Sequence, residues 1–358
     1  KQYGNKVLLH YGKGSIKKYG LYDKVVASLK KAGVSVVELG GVKPNPVLSL
    51  VREGIKIAKE EGVDAILAVG GGSVSDSAKA IAFGSLYDGD VWDFFLGKKT
   101  VDTILPVGVI MTFPGTGSES SFSSVITNEE GLQKRPVNLD ILRPKFAILN
   151  PELSFTLSDY QTACGAVDAM THAMERYFTA TQNVDITDRQ AEAVLRTLRY
   201  YIPIVLEDPK NYEARAQIMW ASKIAHDNSL GVGRLGDFAS HRISHEISAM
   251  YDVAHGATLS IIFPAWMRYA YKQNLSRFVQ FAVRVWDVDM AYEDEEKIAL
   301  EGIRRMEKFF SEVGLPTRFS DLDIKVDKIE EMTDKCARYA PVGNMYPLYR
   351  EGILDVYN

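Results

Sequence analysis

The chain has 358 residues, 46% of them apolar and 25% charged, which is the balance of a soluble globular enzyme and not of a fibrous or disordered protein. Its 42 basic and 46 acidic side chains leave a formal charge of -4, which argues against a nucleic-acid or anionic-membrane partner, and no apolar run is long enough to span a membrane. The two cysteines, Cys164 and Cys336, exclude a disulfide framework and fit a reducing, cytoplasmic setting.

The chain begins at Lys1 without a methionine and without a secretory pattern, almost directly in a strand; the native N-terminus is expected to be missing. Lys6 to Leu9 reads as that strand, Tyr22 to Lys31 as a helix and Val34 to Leu39 as a second strand. Asn45-Pro46 supplies an N-cap and a first helical residue for a helix that runs to Glu61 and closes at Gly62. Asp64 to Val69 and Ile104 to Met111 are further apolar strands, so the first half predicts a parallel sheet covered by helices on both faces. Beyond Pro151 the strand patterns largely stop. Amphipathic stretches follow at Ser158 to Tyr177, Thr187 to Tyr201, Tyr212 to Leu230, His241 to Met250 and Glu295 to Val313. The expected division is a dinucleotide-binding sheet domain over residues 1–151 and a helical metal-binding catalytic domain over residues 152–358, with an active-site cleft between them.

Val69-Gly-Gly-Gly-Ser73 follows a buried strand and opens a helix. Gly70, Gly71 and Gly72 let the backbone approach a ligand, the first free amides of the helix face an anion such as a diphosphate, and Ser73 can cap the helix. This is neither the G-x-G-x-x-G fingerprint nor a P-loop, and a plain tight turn is the competing reading. Gly12-Lys13-Gly14-Ser15 after the first strand is a second such turn, and Thr112-Phe-Pro-Gly-Thr-Gly-Ser-Glu119 after the fourth strand is a third.

The chain has only six histidines, and three of them join an aspartate in two short segments. Asp168 and His172 stand four residues apart in a helical stretch, so both leave the same helix face, and His241 and His245 repeat that spacing ahead of His255. One carboxylate with three imidazoles suits Zn2+ or Fe2+ better than calcium or magnesium. His10 and His226 read as ordinary histidines, Cys164 as a small buried hydrophobe and Trp92 to Phe95 as core packing.

Taken together, Gly70-Gly-Gly-Ser-Val-Ser-Asp76, Pro114-Gly-Thr-Gly-Ser-Glu119, Gly165-Ala-Val-Asp-Ala-Met-Thr-His172 and His241-Arg-Ile-Ser-His245 leading to His255-Gly256 resemble the iron-containing (group III) alcohol dehydrogenase family, in its butanol dehydrogenase and NADPH-dependent aldehyde reductase branch. The resemblance covers essentially the whole chain. It implies a Rossmann-like N-terminal domain, an all-helical second domain and a homodimer. It also implies metal ligands at Asp168, His172, His241 and His255, a phosphate loop at Gly70 to Ser73 with Asp76 just beyond, and nicotinamide and ribose contacts at Thr112 and Lys134. Members of the family carry a further N-terminal strand ahead of the point where this chain begins. The implied reaction interconverts primary alcohols and aldehydes by direct hydride transfer, and His245 falls on a non-ligand histidine suited to relaying a proton. Glycerol- or propanediol-type polyol dehydrogenases share the domain plan and are the alternative within the superfamily. A metal-dependent hydrolase is the alternative from another class. NADP(H) is expected over NAD(H), because the first turn has no carboxylate: Gly14 leaves space for a 2′-phosphate, Ser15 can donate to it, and Lys13, Lys17 and Lys18 stand nearby.

Overall fold

The computed structural model describes residues 1–290 and 294–358, and the chain divides into two compact units, Lys1–Ser154 and Phe155–Asn358. In the first unit the elements run β1 (Lys6–Gly12), α1 (Ser15–Lys18), α2 (Leu21–Lys31), β2 (Ser35–Val42), α3 (Leu48–Glu61), β3 (Ala65–Gly71), α4 (Gly72–Gly84), α5 (Trp92–Phe95), β4 (Val107–Phe113), β5 (Ser123–Asn128), β6 (Gln133–Asn138) and β7 (Phe146–Leu149). The five-stranded sheet has the order β2-β1-β3-β4-β7, and all of its pairings are parallel. Leu8, Leu9, Ala68, Val69 and Val109 are completely buried in it, as expected of strands covered on both faces. The chain steps from β1 to β2 on one side and resumes on the other side with β3. The crevice outside the ends of β1 and β3 is therefore a topological switch point, and the Gly12–Ser15 and Gly70–Ser73 turns lie there.

Several local expectations change. Asn45 does not cap α3. It has φ 55, Val47 is the N-cap, and the helix starts at Leu48. The reason is a competing use of the backbone, since the Pro46 carbonyl accepts from the Thr127 amide at 2.8 Å and Val47 bridges Thr127. Gly62, with φ 60, closes α3 as expected. The fourth strand starts at Val107, because Pro106 has no N–H to pair. The β5–β6 antiparallel hairpin and the edge strand β7 carry no strong apolar alternation and escape a reading by periodicity. Trp92, Phe94 and Phe95 are core residues, as expected.

The second unit is helical: α6 (Asp159–Tyr177), α7 (Asp185–Glu207), α8 (Tyr212–His226), α9 (Ala239–Tyr251), α10 (His255–Ala270), α11 (Leu275–Trp286), α12 (Glu295–Glu312), α13 (Ile329–Ala337) and α14 (Arg350–Tyr357). Ser158 starts α6 with a reciprocal capping box to Gln161. From Thr162 to Tyr177 every residue of α6 is buried, so this helix runs through the middle of its unit. Among the described residues no helix is long and apolar enough to cross a membrane.

Candidate metal centre and cofactor turns

Because α6 is buried all round, its polar residues stand out. Asp168, His172 and Glu175 recur at intervals of four and three and so share one face. His241 projects from the first turn of α9, and His255 opens α10. These elements converge on one oxygen. Asp168 Oδ1 lies 3.4 Å from His172 Nδ1, 3.8 Å from His241 Nε2 and 3.9 Å from His255 Nε2. Asp168, His172 and His241 can offer ligand atoms that all lie within 4.8 Å of one another. Ligands about 2.1 Å from one tetrahedral ion stand roughly 3 to 4 Å apart, so the spacing fits a first-row divalent cation.

Three atoms aimed into this space, Asp168 Oδ1, His172 Nδ1 and His241 Nε2, are buried and make no hydrogen bond. Groups of this kind are costly to bury without a partner, and together they form the donor set an ion would satisfy. Burial, reinforced by the nearby imidazoles and Arg176, holds the His172 pKa well below the ordinary value, which keeps the ring neutral and able to donate a lone pair. Burial also disfavours a charged His241, but the Asp168 and Glu175 carboxylates outweigh it and raise its pKa.

His245 is half-buried, with its ring 5.3 Å from that of His255. Two neighbours were not evident from the sequence. Glu175 is fully buried and binds His241, and His226 stands with its ring 4.1 Å from His172, accepting at Nδ1 from Arg176 Nη2 at 3.2 Å. His226 is therefore not an isolated core histidine. Cys164 is buried and its thiol is pushed up to about 12, as befits an inert residue. Gly256 is fixed by close packing, since a Cβ there would come within 2.1 Å of the Cys164 carbonyl oxygen.

In the sheet unit the glycines of the second turn have a local cause. A Cβ at Gly70 would lie 2.4 Å from Val74 Cγ2, one at Gly71 2.8 Å from Phe113 Cβ, and one at Gly72 2.1 Å from Thr116 Oγ1. The turn is glycine-rich first because the protein packs against itself there. Ser73 does not cap α4, because the helix already begins at Gly72 and Gly71 is the N-cap. No side chain caps this N-terminus, so its first amides remain suited to an anion. The Asp76 carboxylate accepts from Ser118 Oγ at 2.6 Å and from the Val125 amide at 3.1 Å, tying α4 to the hairpin that carries Lys134. Lys134 Nζ donates to Asn45 Oδ1 at 3.0 Å, and Thr112 is half-buried near the end of β4. His10 is fully buried: Nδ1 donates to the Leu39 carbonyl at 2.8 Å, so Nε2 accepts from Ser77 Oγ, also at 2.8 Å. This is a structural histidine.

In the first turn Gly14 has φ 145, and a Cβ there would meet nothing within 4 Å. Lys13 and Ser15 are exposed. Lys17 is not simply a free positive charge. Its Nζ lies 3.5 Å from Glu38 Oε2 and sits over the Tyr11 and Tyr22 rings at 5.0 and 4.5 Å. The turn itself lacks a carboxylate, as expected, but Glu38 on β2 answers one of its lysines.

The family profile described as iron-containing alcohol dehydrogenase matches residues 1–151, and the one described as Fe-containing alcohol dehydrogenase family, C-terminal, matches residues 162–358. The chain belongs to the iron-containing alcohol dehydrogenase family. It is an oxidoreductase, with the Rossmann-like and helical halves of that family. It is 44% identical over 356 residues to the probable NADH-dependent butanol dehydrogenase 1 of Bacillus subtilis, an alignment covering 99% of this chain and 92% of that one. It is 36% identical over 333 residues to the NADPH-dependent aldehyde reductase YqhD of Escherichia coli, covering 92% and 85%. The crystal structure of NADH-dependent butanol dehydrogenase A from Thermotoga maritima superposes with a TM-score of 0.95 at 43% identity, covering 99% of this chain and 90% of that one.

Proposed function

We propose that this enzyme interconverts primary alcohols of butanol-like size and the corresponding aldehydes, using a nicotinamide cofactor and one Fe2+ or Zn2+ ion held by Asp168, His172, His241 and His255. The observation that carries the reading is the convergence of His172, His241 and His255 on Asp168 Oδ1, at 3.4 to 3.9 Å, with buried donor atoms left open. When bound, such an ion supplies Lewis acidity toward a carbonyl or hydroxyl oxygen. The rest is the work of the chain. The uncapped α4 N-terminus, with Gly70, Gly71, Gly72 and Ser73, takes the cofactor diphosphate. Thr112 and Lys134, with Asp76 holding the hairpin, orient the nicotinamide and its ribose. His245, half-buried and next to His255, takes the proton released on alcohol oxidation and returns it on aldehyde reduction.

Within this reading NADP(H) is preferred over NAD(H). Gly14 leaves open space at the first turn, Gly12 lies against the Val42 carbonyl, Ser15, Lys13 and Lys18 are exposed beside it, and Lys17 is shared with Glu38. Relatives carry both cofactor names, so the ratio of kcat/KM values has to decide it. A homodimer is supported by the edge strand β7, whose Phe146 and Ile148 are exposed, and a reducing cytoplasm by the two free, buried thiols. The test is metal analysis of anaerobically purified protein, together with NADPH- and NADH-dependent turnover on straight-chain aldehydes. One equivalent of Fe2+ or Zn2+ and metal-dependent aldehyde reduction are expected. Turnover that survives metal removal sinks the proposal.

A further inference from the structure

Glu175 belongs to none of the recognised motifs, yet in the last turn of α6 it is a fully engaged carboxylate. It is fully buried, and its two oxygens accept from three N–H groups at the start of α9. Oε1 accepts from the His241 backbone amide at 2.9 Å and from His241 Nδ1 at 2.8 Å, while Oε2 accepts from the Phe238 amide at 2.6 Å. A carboxylate oxygen only accepts, so His241 Nδ1 carries a proton, and in the neutral ring that binds a metal Nε2 carries the lone pair. That lone pair is the atom facing Asp168 Oδ1 at 3.8 Å.

We propose that Glu175 is a positioning residue that sets the tautomer and ring orientation of His241, so that Nε2 is always presented to the ion. The proposal rests on the assignment of His241 as a ligand. The bonds to backbone and ring act on the same residue. The carboxylate anchors the first turn of α9, where Phe238 has φ 62, and so fixes both the Cα and the imidazole of His241. A neutral histidine left to itself divides between two tautomers and two ring flips, and only one of these arrangements presents a donor to the ion. A buried carboxylate behind the ring removes that ambiguity and raises the basicity of the donating nitrogen.

The experiment uses the full chain, stripped of metal and titrated with Zn2+ against a chromogenic chelator, as wild type and as Glu175→Gln. In parallel, long-range 1H–15N spectra of histidine-labelled, Zn2+-loaded wild type read the tautomer of His241. Glu175→Gln is expected to bind Zn2+ about 10- to 100-fold more weakly. In wild type the His241 Nδ1 proton is expected to be present, with Nε2 bound to the ion. A merely structural carboxylate would lower thermal stability without fixing the tautomer, so equal Zn2+ affinity in Glu175→Gln, or metal bound through Nδ1 in wild type, overturns the proposal. The spectrum needs no variant, so it decides even if Glu175→Gln does not fold. A wild type that takes up no Zn2+ overturns the metal assignment itself, a different failure from a wild type that binds and a variant that binds equally well.

Discussion

Each unit holds one set of buried titratable side chains that stands out, and the two sets are treated in opposite ways. In the sheet unit Lys79 and His10 are surrounded by partners. Lys79 Nζ donates to Ser118 Oγ, Ser121 O, Ser121 Oγ and Ser123 O at 2.7 to 3.2 Å, and His10 uses both ring nitrogens. In the helical unit Asp168, His172 and His241 face one another with donor atoms open. A saturated buried group is a structural device whose removal leaves its partners stranded. An open cluster is a set of ligands waiting for a ligand, and its removal affects binding before it affects folding. The contrast separates architecture from function more sharply than burial does, since both sets are equally buried.

The largest expected effect tests the open cluster. Asp168→Asn, nearly isosteric, should abolish ion binding and lower turnover on the order of a thousandfold or more. The metal-free variant should unfold within about 1 kcal/mol of the metal-free wild type, because no hydrogen bond to Oδ1 is lost. A metal-free variant several kcal/mol weaker in urea titration would mean that the cluster is structural and would break the contrast. On the saturated side, Lys79→Met should cost about 3–5 kcal/mol, because serine hydroxyls and carbonyls lose their common donor. Urea unfolding within 1 kcal/mol of wild type would show that those contacts are dispensable.

A pH effect of somewhat smaller size follows from His10, whose pKa is lowered from 6.5 to about 4 by burial. The folded state keeps the ring neutral down to about pH 4, while the unfolded chain takes up a proton from about pH 6.5 downward. The contribution is thus fully present above pH 6.5 and is lost as the pH falls toward 4, a change of about 3 kcal/mol by linkage. Amide exchange in β1 and α4 should accelerate over that window, and in His10→Asn it should not follow the same course. The smallest effect concerns the first turn. Gly14→Asp should weaken NADPH relative to NADH by about 1–2 kcal/mol after screening. Gly14→Ala, which imposes the same backbone strain at φ 145, should slow both cofactors alike. Equal effects of the aspartate on both cofactors would show that the turn does not read the 2′ position.

The open cluster was also the more legible of the two. Asp168 and His172 announce themselves by helical spacing, and a scarce residue repeated near His241 completes the pattern. Glu175 continues the same spacing but is hidden, because a glutamate seven residues along a helix usually faces solvent; only the burial of α6 on every side gives it meaning. The saturated groups were nearly silent. Lys79 looks like any helix lysine until residues 118–123 fold over it, and Asn45-Pro46 imitates a helix start until a distant strand claims its backbone. Signals that depend on one element survive in the sequence. Those that depend on a second, remote element do not.

Gly256 gives the centre its scale. There α10 presses so closely on α6 at Cys164 that one added methyl group would have to share space with a carbonyl. The spacing of the two backbones that carry His255 and Asp168 is therefore set by direct contact, as by the closed jaws of a caliper. Retuning this protein for a larger cation would have to start at that crossing. Exchanging ligands alone would keep the gauge and change only what is measured with it.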